Sequence, residues 1–350
     1  MKLSVMLNYA GDIKGTADEV SALEKAGLDC VWVAEAYSFD AISMMGYLAA
    51  RTERVEIGSA IVNVYSRTAT LMAMSFAGLD YVSNGRINCG LGASGPQVIE
   101  GFHGVAYEKP MQRIKEYMEV CRATWRREVI EYHGQTVDIP LPKGEGTGLG
   151  KPLKLINHPQ RADIPLWWAS LKGKSVEATA ELANGWIPIF YIPEKADLVW
   201  GDALQLGLAK RKPELGPLQI LAGGSVLITE DEDRITKMLD AGRPATALYV
   251  GGMGARGKNF YNDIMSSYGW EGAAKTIQDL YLDGKKAEAA AEVPREYLEA
   301  GSLVGPEGYV KEKLAAYKQA GVTHLQMGLS GSIETKMATV ERMRTLVDQI

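Results

Sequence analysis

The chain has 350 residues, 46% hydrophobic and 23% charged, with a formal net charge of −5. That balance describes a globular chain with ample core and excludes disordered, collagenous and coiled-coil proteins. No apolar run approaches the ~18 residues of a membrane span, the opening MKLSVMLNYAGD is too short for a signal peptide, and no basic block invites nucleic acid, so a cytoplasmic enzyme is expected.

Taken in chain order, short apolar runs rich in β-formers alternate with longer helical patterns, as in βα units. Leu3–Tyr9 reads as a buried strand, and Thr16–Ala26 as a helix that stops at Gly27. Asp29–Glu35 is the second strand and Asp40–Arg51 the second helix. Val55–Asn63 is the third strand, followed by a helix over Thr68–Val82 that ends at Asn84-Gly85. Arg86–Gly92 and the helix Met111–Arg126 come next. Pro165–Ser170, Trp186–Tyr191, Gln219–Thr229 and Thr323–Gly328 complete eight strands. This pattern predicts a single-domain α/β protein over 1–350, a (β/α)8 TIM barrel, with a doubly wound open sheet as the competitor. Two segments interrupt the alternation, 127–163 with a small hairpin in VIEYHGQTVDI, and the polar, helical 242–306 with Gly251, Gly252, Gly254 and Gly257. Long insertions of this kind are expected over the C-terminal mouth of a barrel.

The chemistry-bearing residues exclude more than they assign. His103, His133, His158 and His324 lack the spacing of a helical zinc site, and three cysteines form neither a disulfide framework nor a zinc pattern. No metal is expected. There is no G-x-S-x-G, and Ser94 in GLGASGP reads as a turn residue rather than a nucleophile. A glycosidase needs two carboxylates at strand ends, and only Glu35 is clearly placed. The small residues within Gly90–Pro96 let a planar ligand or its chain approach the backbone. Ser170–Ser175 runs from a strand into a helix, where free N–H groups and two lysines suit a phosphate; an ordinary capped helix start is the alternative. Glu35 ends the second strand, where it serves as a general acid or cofactor contact, or as a structural ion pair at the rim. Asn63, Tyr65 and Arg67 follow the third strand toward the same mouth, and one or both of Trp167 and Trp168 are core.

Five blocks in this order resemble the luciferase-like monooxygenase superfamily, and within it the coenzyme F420-dependent oxidoreductases. They are GLDCVWVAEAY, RTERVEIGSAIVNVYSRTAT, GLDYVSNGRINCGLGASGP, FHGVAYEKPMQRIKEYMEV and AGVTHLQMGL. The second insertion and the last block look most like methylenetetrahydromethanopterin reductase and its bacterial relatives. The resemblance implies a bulge with a non-prolyl cis peptide at Ala60-Ile61 backing the deazaflavin ring, with Glu35 and Asn63 nearby. It implies backbone contacts to the cofactor from Gly92, Ala93 and Ser94, and phosphate contacts from Lys172, Gly173 and Lys174. A deazaflavin carries its hydride on carbon, so two-electron transfer is the reaction class implied. FMN-dependent monooxygenation, or a flavin-binding barrel without turnover, are the alternatives. Many relatives carry Asp-His where this chain has Glu35-Ala36, and Ala36 cannot take a proton; the methanopterin reductases carry an acid where this chain has Met6. Cofactor and reaction class therefore transfer, and substrate does not. The resemblance also implies a homodimer, with Ile42, Met44, Met45 and Leu71 as a candidate face or, alternatively, core.

Overall fold

The computed structural model describes residues 1–8 and 11–350; Tyr9, the expected end of the first strand, lies outside the described residues. Eight parallel strands close into a barrel: β1 Lys2–Met6, β2 Cys30–Val33, β3 Glu56–Ser59, β4 Ile87–Gly92, β5 Leu166–Trp168, β6 Gly185–Trp186, β7 Gln219–Ile228 and β8 His324–Gly328. Closure comes from β8, which pairs Lys2↔His324 on one side and Leu221↔His324 on the other. Helices α1 Ile13–Lys25, α2 Ala41–Arg51, α3 Ala69–Val82, α4 Pro110–Trp125, α5 Gly173–Leu182, α6 Ala196–Leu208, α7 Glu307–Gln319 and α8 Ile333–Val347 surround it.

Local chemistry sets the helix ends. The side chains of Asp12, Asp40, Thr68 and Ser332 accept first-turn N–H groups of α1, α2, α3 and α8, satisfying donors that have no partner inside a helix. Gly27 (φ 105°) leads the chain out of α1, and Asn84-Gly85 (φ 57° and 80°) out of α3, conformations that glycine and asparagine tolerate.

The barrel is filled by side chains, not hollow. Trp32 and Trp167 meet edge to face at 4.9 Å and pack with Cys30, Ile187 and Leu221. Each needs a glycine on the next strand. A Cβ at Gly58 would lie 2.3 Å from the Trp32 ring, and one at Gly185 2.1 Å from Trp167. Trp168 is buried on the other face, against the helices. Toward the base, Glu56 takes hydrogen bonds from Lys2 (2.5 Å) and Asn88 (3.1 Å). Burial raises the Glu56 pKa, but His324, Lys2 and Asn88 together hold the carboxyl at about 2. Burial pushes the His324 imidazole down, with Glu56 opposing.

Four expectations are corrected. The sixth strand is Gly185–Trp186 alone; the chain from Ile187 peels away and Phe190 takes φ 52°. The second strand stops at Val33, and the third is interrupted after Ser59 before Val62–Asn63 resumes pairing, beside Leu91 and Gly92. The segment 242–306 is mostly helical, as expected, and adds a short strand, Leu303–Gly305, that pairs in parallel with Val226–Ile228 on the outer reach of β7. The segment 127–163 joins α4 to the start of β5 and therefore lies toward the base. There Arg161 binds Asp80 and the carbonyl of Ile87, the first residue of β4. Its expected hairpin forms, Tyr132–His133 against Asp138–Ile139, tied down by Glu116, which accepts the N–H groups of Gln135, Thr136 and Val137.

Candidate active site

The C-terminal ends of β2, β3 and β4 meet around one feature. After Ser59 the chain bulges, and the peptide bond Ala60-Ile61 is cis. The bulge is held from β2, as Ala60 N–H donates to Val33 O (2.8 Å) and Glu35 N–H to Ile61 O (3.2 Å). Ala60 and Ile61 are half-buried and rest on the tryptophan plug. Gly92 makes room for them: a Cβ there would lie 2.8 Å from Ile61 Cγ1. Asn63 is 2% exposed, and its Oδ1 accepts the N–H groups of Tyr65 (3.0 Å) and Ser66 (2.8 Å). That oxygen is spent on turning the chain toward α3. Beside the bulge, Ala93 is half-buried and Ser94 is exposed with φ 58°, its carbonyl taken by the Tyr107 hydroxyl at 3.0 Å.

Glu35 is brought to the rim by β2, and Arg67 by the loop after β3. Both guanidinium Nη groups donate to the two Glu35 oxygens at 2.8 Å, and Ala41 N–H at the start of α2 donates to Oε2 at 2.9 Å. The side chains are 6% and 13% exposed. Burial alone would lower the Arg67 pKa, but the hydrogen bonds to Glu35, its charge and that of Asp40 hold it above the ordinary arginine value. Glu35 is thus committed as an acceptor in the ion pair that was the alternative reading of this position. Around the pair opens a cleft of about 230 Å³ lined by Glu35, Ala36, Asp40, Arg67, Phe102 and His103, among others. Tyr37 and Phe102, 70% and 65% exposed, stand at its edge with ring centroids 6.3 Å apart.

On the β5 side, Lys172, Gly173 and Lys174 are exposed at the start of α5. Ser175 Oγ accepts the Lys172 N–H at 3.2 Å, no side chain caps the first turn, and a Cβ on Gly173 would meet nothing within 4 Å. The helix start is open to an incoming anion, as its unsatisfied N–H groups and dipole favour. Lys172 Nζ lies 3.6 Å from the ring centroid of Phe260, which ties this turn to the second insertion. The same insertion sends Tyr249 and Tyr261 against Phe190, centroids 5.7 and 6.0 Å away, so it roofs the β6 side of the mouth.

The structure therefore gathers Glu35, Ala60, Ile61, Gly92, Ala93 and Ser94 at one rim and sets Lys172–Lys174 on a separate strand end. Sequence reasoning did not place His103, weighed only as a metal ligand, or the Phe190 cluster at the mouth. The FHG block after GLGASGP held the signal for His103, because whatever follows a fourth barrel strand belongs to the mouth.

A family model described as luciferase-like monooxygenase matches residues 1–324. The chain is 37% identical over 340 residues to a putative coenzyme F420-dependent oxidoreductase of Mycobacterium tuberculosis, covering 95% of this chain and 96% of that protein. It is 24% identical over 322 residues to the 5,10-methylenetetrahydromethanopterin reductase of Archaeoglobus fulgidus, covering 88% and 87%. Among solved structures, the coenzyme F420 dependent tetrahydromethanopterin reductase of Methanopyrus kandleri superposes with a TM-score of 0.79 at 21% identity, over 99% of this chain and 98% of that one; that likeness speaks for the fold.

Proposed function

Because this chain belongs to the luciferase-like monooxygenase family, we propose that it is a coenzyme F420-dependent oxidoreductase passing a hydride between the deazaflavin and a small organic substrate. The observation that carries the reading is the half-buried Ala60-Ile61 bulge on the tryptophan plug, at the end of the strand beside Gly92. A planar ring needs such a firm, apolar backing. The residues present fit the cofactor. Ala60 and Ile61 would back its ring, the backbone of Gly92, Ala93 and Ser94 would meet its edge and side chain, and the open first turn of α5 with Lys172, Gly173 and Lys174 would take its phosphate. Asn63 contributes by shaping the turn, and Glu35 with Arg67 by holding the rim. When bound, the deazaflavin supplies a hydride donor or acceptor at carbon. The chain's own part is to orient ring and substrate, to exclude water beneath the insertion, and to manage the accompanying proton.

Titration of the purified protein with F420 and with FMN tests this. The expected result is saturable quenching of F420 fluorescence, followed by loss or gain of deazaflavin absorbance against a panel of alcohols, enones and imines. Tight FMN binding with none of F420 would replace the reading by flavin monooxygenation.

We read the chain as one barrel domain acting in the cytoplasm, which agrees with three buried free thiols, Cys30, Cys89 and Cys121. A homodimer is part of the proposal, on a revised face. Met45 is core, and Ile42 and Met44 are half-buried, because α2 turns that side to its neighbours. Leu71, Met74, Tyr81 and Val82 instead form an exposed apolar stripe along α3, at helical spacing. Light scattering is expected to give a dimer that Met74→Asp converts to monomer; a monomeric wild type at micromolar concentration removes the idea.

A further inference from the structure

The bulge assigned to the cofactor ring has a wall facing it. In a closed barrel of eight strands each strand lies across from the one four places on. The Ala60-Ile61 bulge after β3 therefore looks over the lumen at β7, with β8 and β1 beside it. Side chains alternate between the two faces of a strand, and burial sets the phase here. On β8, Leu325 and Met327 pack outward in the main core, whereas the His324 ring lies inside the barrel, 4.9 Å from that of Trp167. Gln326 shares the inner face with His324, one layer nearer the mouth. On β7, Ala222 and Val226 pack outward and Leu221 joins the tryptophan plug, so Ser225 is inward too. It is registered with Gly328 of β8, and Gly223 with Gln326. On β1, Leu3 and Val5 belong to the outer core, and Met6, registered with Trp32, faces the mouth.

The two polar groups of this wall are uncommitted. Gln326 and Ser225 are half-buried, their polar atoms are not sealed from solvent, and neither side chain makes a hydrogen bond among the described residues. In the layers below, by contrast, the unpartnered Nε1 of Trp32 and Nε2 of His324 are sealed. Those layers, with buried Ser4 and Asn88, close the lumen from beneath, so solvent reaches Gln326 through the mouth. The flanking positions leave both groups uncovered. A Cβ at Gly223 would lie 2.0 Å from the Gln326 carbonyl oxygen, and one at Gly328 3.2 Å from Ser225 Cα. Both sites hold glycine, and no side chain there screens the amide or the hydroxyl. The stretches 4–6, 223–225 and 326–328 carry no charged residue.

We propose that Gln326 and Ser225 form the substrate-recognition wall of the mouth, binding the polar group of a substrate held between them and the ring backed by the bulge, with Met6 against its apolar part. This deepens the hydride-transfer reading and rests on it. An amide presents a donor and an acceptor, and a hydroxyl can act as either. The wall therefore suits a compact neutral compound carrying a carbonyl or hydroxyl group. It does not suit a carboxylate or phosphate, whose charge would lie uncompensated in a half-buried site.

Thiol labelling reads the placement without turnover. Cys30, Cys89 and Cys121 are buried, so the thiol introduced by Gln326→Cys is expected to be the one that reacts with methyl methanethiosulfonate. Saturating F420 should slow that reaction about tenfold or more. Recognition is read by saturation-transfer NMR on the F420-loaded protein, with cyclohexanone and cyclohexanol as neutral probes and cyclohexanecarboxylate as the anionic one. The neutral pair should bind wild type and the carboxylate should not. Gln326→Met, close in volume but without the amide, should weaken neutral binding about tenfold, and Ser225→Ala about threefold. Each variant is checked for fold by circular dichroism, and F420 affinity, read by fluorescence, should stay within about twofold. A wild type that binds no F420 brings down the hydride-transfer reading and this proposal with it. With F420 bound by wild type, four results each overturn the proposal alone: an introduced thiol that is unreactive or unprotected, neutral probes that do not bind, a carboxylate that binds as well as the ketone, or a folded Gln326→Met that keeps wild-type affinity.

Discussion

Arg67→Ala is expected to destabilise the protein by about 3–5 kcal/mol, because it strips a buried carboxylate of its cation. Glu35 is 6% exposed and would keep one hydrogen bond, from Ala41 N–H, out of three. Water cannot readily replace the guanidinium there. The loop after β3 keeps one anchor to α4, since the carbonyl of residue 67, which accepts the Tyr117 hydroxyl at 2.7 Å, is untouched by the change. Arg67→Lys should recover only part of the loss, because a lysine ammonium is a point charge and cannot present two parallel N–H groups to both carboxylate oxygens. The double variant Arg67→Met/Glu35→Met should be more stable than Arg67→Ala, as removing both charges leaves neither unpaired. Urea unfolding of the four proteins measures this. A loss below about 1 kcal/mol in Arg67→Ala would mean that the pair is a dispensable surface bridge.

Gly90→Ala should have the other large effect, a loss of about 3 kcal/mol or more and failure to accumulate as folded protein. A Cβ at this position would lie 1.8 Å from the carbonyl oxygen of Ser59, well inside van der Waals contact, and backbone cannot swing aside as a side-chain end can. Overpacking of a closed core costs about 1–3 kcal/mol and sometimes more. Here it would also break a reciprocal pair, in which Ser59 Oγ donates to Gly90 O and accepts Gly90 N–H, both at 2.8 Å. Each such bond contributes about 1 kcal/mol. The damage would fall on the seam that carries the Ala60-Ile61 bulge, so any folded fraction should bind F420 poorly. Gly173→Ala is the control for stability, since its Cβ would enter open space at a helix start. Thermal unfolding that gives the two variants equal Tm would refute the steric account.

Much of this molecule is written locally. The alternation of apolar runs and helical periods, the capping residues Asp40 and Thr68, and the turns at Gly27 and Asn84-Gly85 are short-range signals, so the eight βα units were legible before the fold. The blocks around Ala60-Ile61 and Gly90–Ser94 were legible too, as family resemblance, and the cis bond stands at the expected place. What the sequence by itself left open was every pairing across the barrel. The strand pattern shows that Gly58 and Gly185 are small, but only closure reveals that Trp32 and Trp167 occupy the space they leave. Glu35 reads equally as an acid or as half of an ion pair until Arg67, 32 residues later, is folded against it. His103 looks like a stray histidine until three loops from successive strands meet around one cleft. The physical reason is common to all three. Periodicity and capping act over a turn or two of chain, whereas strand register and barrel closure decide which distant side chains share a surface. The order of strands and helices was therefore determined by sequence pattern, and the strand ends and the chemistry between them by tertiary structure.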